Sequence, residues 1–411
     1  MNNLDHNKFL KKSLLPIYIL LITNILYFFI IKDLYQENTY KFSMIWIIFS
    51  LIIFISSILY QKIFKGEYII LSIVFMLLTI GLPMIYRIDK ELAFRQTLWY
   101  IFGLIVFFIV IFVFKKYFIT NRYTYLYMGV IYIMFIMTFI FGSRIKGSIN
   151  WIKFNGISFQ PSEVIKILFI LFIASYFTNR DKKLKKSYFL FIVYSIIGLF
   201  FFQKDLGSAL LLYLVFMSIY YLNEENKFAL LMNLFGAIIV GINSIIIFDH
   251  VKVRMISWIN PWKYIDGAGY QITQSLFAIS EGGYLGVGLG KGHPKYIPEV
   301  QTDFIFSAII EEMGILMGIA IVLLYILFIY KGIKITLNQK NNFIRQVALG
   351  ITMMTGFQAF IIIGGSIKLI PLTGITLPFV SYGGSSIVMS FVSIGLLQVA
   401  SQELEGEFHS E

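Results

Sequence analysis

An all-α, polytopic bundle of transmembrane helices is the fold the sequence predicts, and three observations carry it. Of 411 residues, 58% are hydrophobic and only 14% charged, with a mean hydropathy of +0.79, whereas soluble domains run near about 25% charged. Apolar runs long enough to cross a bilayer, which takes about twenty residues each, recur along the whole chain. Strand signals are few. A soluble enzyme, a nucleic-acid-binding protein and a disordered scaffold are thereby excluded. The net charge of +12, from 34 Lys and Arg against 22 Asp and Glu, suits loops beside anionic membrane lipids. The chain has no cysteine, which removes disulfides, iron–sulfur clusters and thiolate zinc sites.

In order, the apolar runs cover 14–32, 43–61, 68–86, 97–114, 123–141, 163–177, 188–202, 206–222, 228–248, 304–330, 346–365 and 384–400, about 12 spans. Lys8, Lys11 and Lys12 precede the first run and no small-residue cleavage site follows it, so it reads as an uncleaved anchor with a cytoplasmic N-terminus. An even number of crossings returns the C-terminus to the cytoplasm. On this topology Lys and Arg are roughly twice as dense in the cytoplasmic loops, the run from Arg180 to Lys186 included. Pro161, Pro261, Pro294, Pro298, Pro371 and Pro378 all fall in three loops placed outside. Irregular backbone at a membrane surface needs polar surroundings or protein cover, and loops carry function more often than the helices that hold them. No strong internal repeat is present, which counts against transporters built from repeated halves.

The first of these loops holds Arg144, Lys146 and Lys153 around Trp151, a cationic strip suited to phosphate or to plain anchoring of helix ends. Glu163 and Lys166 follow at i and i+3 and so share a helix face; charges at membrane depth are costly unless they pair or line a cavity. Asp205 precedes a helix starting at Leu206, where a carboxylate can cap free backbone N–H groups or face a ligand.

The long loop 249–303 opens with His250, Lys252, Arg254, Trp258 and Trp262, an aromatic, amphipathic stretch for the interface. Ile272, Leu276 and Ile279 then recur at helical spacing. Gly282 to Gly292 is glycine-rich, but no strand precedes it and as a nucleotide motif it is weak. It reads instead as a hinge or lid over a diphosphate-bearing lipid, with Lys291 and Lys295 available to the phosphates. Glu299 and Asp303 end the loop at the mouth of the bundle, where Thr302 or Asp303 could equally cap the next helix. Along that helix Glu311 and Glu312 are expected roughly 12 Å deeper, at 1.5 Å per residue. The last outer loop, 368–386, with its prolines and glycines cannot be one continuous helix. It offers Ser381, Ser385, Ser386 and backbone N–H groups to a substrate.

Four ordered segments now carry a resemblance: Trp151 to Lys166 with Phe-Gln-Pro-Ser-Glu, Lys-Asp-Leu-Gly at 204–207, Gly269 to Phe306 with Pro-Glu-Val-Gln-Thr-Asp-Phe-Ile-Phe, and Pro371 to Ser386 with Leu-Pro-Phe-Val-Ser-Tyr-Gly-Gly-Ser-Ser. The chain resembles the SEDS family of bacterial shape, elongation, division and sporulation proteins over roughly 68–400. The resemblance implies a ten-span glycosyltransferase domain, 68–411, preceded by an added two-helix hairpin, 1–67. It implies a peptidoglycan glycosyltransferase that polymerises lipid II on the extracytoplasmic face of the bacterial cytoplasmic membrane, working with a class B penicillin-binding protein, a transpeptidase, inside an elongation or division complex. It assigns the essential acidic residue to Asp303, places Glu163, Lys166 and Asp205 along a central membrane cavity, and implies dependence on Mg²⁺ or Mn²⁺. The metal site itself is unknown: His6, His250, His293 and His409 are scattered. Two positions depart from the family pattern. Thr373 stands where some division-type members carry Lys, so no lysine role transfers there, and Lys204 stands where Pro is common.

On chemical grounds a donor that already bears a diphosphate needs charge neutralisation at the leaving group more than a proton, unlike a glycosidase substrate with its two carboxylates. Asp303 can then serve alone as general base, with Arg144, Lys153, Lys291 or a divalent cation at the diphosphate. Glu299, Ser381 and Ser385 complete the candidate substrate-binding set. Two alternatives come from other classes. A lipid II flippase would use Glu163, Lys166, Glu311 and Glu312 but needs a path to both faces, and a non-enzymatic scaffold would tolerate loss of Asp303.

Overall fold

A computed structural model of the chain describes residues 15–26, 28–29, 39–63, 66–117, 123–145, 148–154, 157–179 and 184–407. Every predicted apolar run holds a helix. These are α1 (Leu15–Leu26), α2 (Thr39–Ile63), α3 (Tyr68–Ile88), α4 (Lys90–Tyr117), α5 (Thr124–Phe141), α6 (Pro161–Thr178), α7 (Lys186–Phe202), α8 (Leu206–Asn223) and α9 (Lys227–Ile247), then α12 (Ile305–Asn338), α13 (Asn342–Ser366) and α14 (Gly384–Glu407). Among the described residues nine helices are long and apolar enough to cross a membrane, and Leu15–Leu26, Trp46–Gln61 and Lys186–Phe202 are shorter apolar helical stretches. The long loop adds α10 (Asp249–Ile259) and α11 (Tyr270–Gly282). The chain is a multi-pass membrane protein.

Capping fixes where the helices start. Pro161 takes the first position of α6, where its missing N–H costs nothing. Asn226 caps α9 through Phe228 and Ala229 N–H, and Asn341 caps α13 through Phe343 and Ile344 N–H. Helices α3 and α13 form the centre, with 78% of their spans buried, whereas α9 stands at the rim with 6% buried. Short connections at 224–226 and 339–341 lie at one end of the bundle, and the long loops gather at the other, here the long-loop end.

Two features depart from the sequence expectation. The segment 142–159 is a three-stranded antiparallel sheet, β1 (Gly142–Ile145), β2 (Ser148–Phe154) and β3 (Ile157–Phe159), in the order β1-β2-β3. The register pairs Gly142 with Ile152, Arg144 with Ile149 and Lys153 with Ser158. Its two-residue connections read Lys-Gly and Asn-Gly in the sequence, the second a strong hairpin signal that helical periodicity alone does not register.

The other departure is in α12, which is broken at Gly314 (φ 81°, ψ 168°). Phe306 and Ile310 pack against Gly318, so residues 305–313 fold back on the span 315–338. That span runs antiparallel to α3, with Lys331 bonded to Glu67 at one end (3.2 Å) and Glu312 to Arg87 at the other (3.1 Å). Glu311 and Glu312 are therefore not deeper than Asp303, as a straight helix requires. They lie beside the last turn of α3 at the long-loop end. Thr302, by contrast, accepts from Ser381 Oγ (2.5 Å), and the Ser381 carbonyl accepts from Gln96 Nε2 (3.2 Å). Gln96 lies six residues into α4, roughly 9 Å along its axis, and Asp303 is the inner end of the fold-back.

Candidate active site

Asp303 does not cap α12, whose N-cap is Phe304 without a side-chain bond. A turn holds it instead, in which Thr302 N, Thr302 Oγ1 and Asp303 N all donate to the carbonyl of Glu299 (3.1 Å each). Glu299 itself takes a left-handed φ of 58°, uncommon for a residue with a side chain. Across from this turn Gly374, at φ 76°, lies between two charged groups: a Cβ built there meets Arg254 Nη2 at 3.4 Å and Asp303 Oδ2 at 3.7 Å. The glycine thus lets an acid from the long loop and a guanidinium from α10 share one space. Arg254 Nη1 donates to Thr373 O (2.9 Å), which aims its free edge. Burial lowers the Arg254 pKa from its ordinary value, while Asp303 and Asp205 oppose this; guanidinium stays a cation across the working range.

Asp205 also acts electrostatically on Arg254. It caps α8 by accepting Ser208 N (3.0 Å) and also takes Ser208 Oγ (2.9 Å) and Asn150 Nδ2 (2.9 Å). Burial raises its pKa, opposed by Ser208 and Lys166. Glu163 and Lys166 are bonded to each other at 2.8 Å, with side chains 11% and 2% exposed, beside a small cavity lined by Gln358, Ser390 and Ser393.

The remaining predicted residues are placed differently. Ser381 sits in the framework: its Oγ accepts from Leu377 N (2.9 Å) and donates to Thr302 O, tying the last loop to the Asp303 turn. Ser385 Oγ accepts from Gln160 N (3.2 Å) and joins the start of α14 to that of α6. Lys153 is exposed on β2, and strand alternation turns it from the face through which Asn150 reaches Asp205. Arg144 belongs to β1, and its side chain lies outside the described residues, as does Lys146.

Lys291 is exposed in the glycine-rich segment, at the opposite end of 305–313 from Asp303. That segment is not a loose lid. Val287 N and Gly288 N donate to the Glu311 and Glu312 carbonyls (2.9 and 3.1 Å), and Ile315 N donates to Gly283 O (2.9 Å), which satisfies the backbone groups the helix break frees. The Glu312 carboxylate accepts from Gly290 N (2.9 Å) and Arg87, the Glu311 carboxylate from His293 N (2.5 Å), and Arg87 also donates to the carbonyls of Gly290 and Gly292.

An apolar groove of about 920 Å³ lies between α9 and the face of α7 and α8, lined among others by Phe201, Leu210, Leu214 and Ile238, and also by Met255, Arg254 and Thr373. Sequence reading missed Arg254 as a site residue and missed Asn150 altogether. The signal for Arg254 was only its place in an aromatic, basic stretch. For Asn150 it was a polar residue at an inward position of an alternating strand.

The donor set does not fit a resident Mg²⁺ or Mn²⁺. No group of three or more His, Asp or Glu suited to a metal occurs among the described residues. Asp205 is already engaged by three donors, and a cation, Arg254, occupies the space beside Asp303.

Comparison with known proteins agrees with this fold. The family described as cell cycle protein, of the FtsW, RodA and SpoVE type, matches residues 68–406. Peptidoglycan glycosyltransferase RodA of Mycobacterium tuberculosis is 33% identical over 367 residues, covering 80% of this chain and 76% of that protein. Stage V sporulation protein E of Bacillus subtilis is 33% identical over 353 residues, covering 80% and 95%. Among solved structures, a chain from a peptidoglycan synthase complex that coordinates polymerization and crosslinking superposes with a TM-score of 0.71 at 21% identity, over 83% of this chain and 98% of that one. Rod shape determining protein RodA of Thermus thermophilus gives 0.62 at 22% identity, with 83% and 98% covered. The family model spans residues 68–406 and relatives at 33% identity cover 80% of the chain, so the chain belongs to the FtsW, RodA and SpoVE family.

Proposed function

We propose that this chain is a peptidoglycan glycosyltransferase that polymerises lipid II on the extracytoplasmic face of the membrane. One observation carries the reading: Arg254, which lines an apolar groove of about 920 Å³, has its guanidinium beside the Asp303 carboxylate at Gly374. A substrate made of a polyprenyl chain, a diphosphate and a sugar has the same order of chemistry. The chain lies along α8 and α9, the diphosphate takes the free edge of Arg254, and the sugar's anomeric carbon comes to Asp303.

Asp303 then accepts the proton of the acceptor 4-hydroxyl as that oxygen attacks, and the diphosphate leaves with inversion to a β-linkage. Diphosphate on Arg254 also draws that cation from Asp303, which leaves the carboxylate a better base once substrate is seated. Arg254 thus takes the place expected of Arg144, Lys153 or Lys291, and no step runs through a metal. The relatives' names support the reaction class, and a synthase complex among the similar folds supports a transpeptidase partner of the class B penicillin-binding type.

Purified chain given labelled lipid II is expected to make glycan strands, and Asp303→Ala to lower the rate by about 10²–10⁴-fold, the usual worth of a general base. Equal polymerisation by that variant would sink the assignment. Flipping of lipid II across liposomes without polymerisation would make this chain a transporter.

A further inference from the structure

We propose that Tyr194, Tyr213 and Asn233 form an end-stop in the apolar groove, so that it holds only the part of a polyprenyl chain nearest the diphosphate. The inference rests on the reading of that groove as the seat of the substrate's lipid chain.

Helix α9 is the least enclosed of the nine long spans, 6% buried, yet it carries an amide, Asn233, six residues in and roughly 9 Å from the short-loop end. Polar groups at membrane depth are costly unless they are bonded. Asn233 Nδ2 donates to Ala229 O in its own helix (2.6 Å), its Oδ1 accepts from the Tyr194 hydroxyl of α7, and its backbone carbonyl accepts from the Tyr213 hydroxyl of α8 (3.2 Å). One residue thus clasps α9 to both neighbours.

The lining of the groove stops at this clasp. It begins at Tyr194 on α7 and at Met232 on α9, and ends at Leu214 on α8. Lys186 pairs with Glu224, so α7 and α9 start at the short-loop end and α8 finishes there. On all three helices, therefore, the residues nearer that end are absent from the lining. Along α9 the lining runs from Met232 to Ile245, roughly 20 Å at 1.5 Å per residue, whereas an extended undecaprenyl chain is longer than the whole hydrocarbon core of about 30 Å. The groove cannot take all of it. Between its ends the lining is apolar except for Ser244, whose hydroxyl donates to Gly241 O (2.6 Å); its other polar side chains are the clasp at one end and Arg254 and Thr373 at the other. To pass the clasp, a hydrocarbon chain has to part hydrogen bonds where no water replaces them. The far isoprenes stay in the bilayer, and the protein reads its lipid carrier by the units beside the diphosphate.

Photolabelling tests this without relying on turnover. The full chain in liposomes is given undecaprenyl diphosphate bearing a diazirine either near the diphosphate or at the far end, and labelled residues are read by mass spectrometry, counting only label that excess unlabelled undecaprenyl diphosphate removes. The near probe is expected on α8 and α9 between the clasp and Arg254, and the far probe on neither 186–193 nor 227–231. Tyr194→Ala combined with Asn233→Ala should raise far-probe label on 227–231 several-fold over the parent. Far-probe label on 186–193 or 227–231 in the parent, no near-probe label in the groove, or an unchanged pattern in the double variant overturns the end-stop; should that variant not fold, the parent's pattern decides. Glycan made by a chain whose far probe passes the clasp refutes the end-stop and keeps the reaction, and an intact end-stop in a chain that makes no glycan does the reverse.

Discussion

Asp205 is held by three donors, yet burial still raises its pKa. The sign of the consequence follows. A carboxyl whose pKa is higher folded than unfolded keeps more protons in the fold between those two values, so its contribution to stability falls as pH rises through that window. Asp205→Asn keeps the cap and removes the charge. Its melting temperature relative to the parent is expected to climb from mildly acidic toward alkaline pH, read by thermal unfolding at several pH values; a flat difference would mean that Asp205 is not the titrating group. Among the described residues four with side chains, Lys204, Glu299, Lys368 and Phe379, adopt left-handed φ, and all four are in the turns that frame this site, where strain is commonly stored. Much at this scale was legible. The spacing of Glu163 and Lys166 puts them on one face, and they bond. Arg254 was not legible beside Asp303, because the group that aims it, Thr373 O, is 119 residues away in the chain.

Among the elements, α12 shows how a hydropathy profile loses direction. The run from Ile305 onward, apolar but for Ser307, Glu311 and Glu312 as far as Leu324, reads as one rod, and only the backbone at Gly314 folds it back. The conformation there is open essentially to glycine alone, and a Cβ would come within 2.3 Å of Tyr284 O and 2.5 Å of Gly286 N. Gly314→Ala is expected to destabilise the chain by about 3 kcal/mol or more and to release the glycine-rich segment, seen as faster hydrogen exchange at Val287 and Gly288. Unchanged protection there would show that the break does not depend on glycine. The sheet was missed for a related reason: seven or fewer residues per strand give alternation little weight beside helical runs.

For the whole molecule, a helix in each of the twelve apolar runs was legible, nine of them among the described residues long and apolar enough to cross, because lipid forces each crossing to be continuous, apolar and hydrogen-bonded within itself. The depth order of the loops was not, since nothing in composition says which loop dips inward. Of the N-terminal pair α1 and α2, the second packs on α4, with Phe49 against Tyr100 and Tyr60 against Phe107; Trp46, Phe49 and Ile53 are fully buried and Tyr60 bonds Gln398. Lipid is as apolar as the face this pair covers, so removing it forfeits packing more than hydrophobic burial. A chain lacking residues 1–63 is expected to melt several degrees lower and still polymerise lipid II; loss of polymerisation with the melting temperature intact would give the pair a part in the reaction.

One consequence of the fold-back concerns force. The turn at Tyr284 and Leu285, 79% and 78% exposed, is bonded through Gly283 and Tyr284 to the break at Gly314, and from there the helix 305–313 leads straight to Asp303. A helix of that length is stiff. The exposed knuckle and the carboxylate turn are therefore the two ends of one short rod, and strain applied at the first is carried along backbone, not through side chains, to the second.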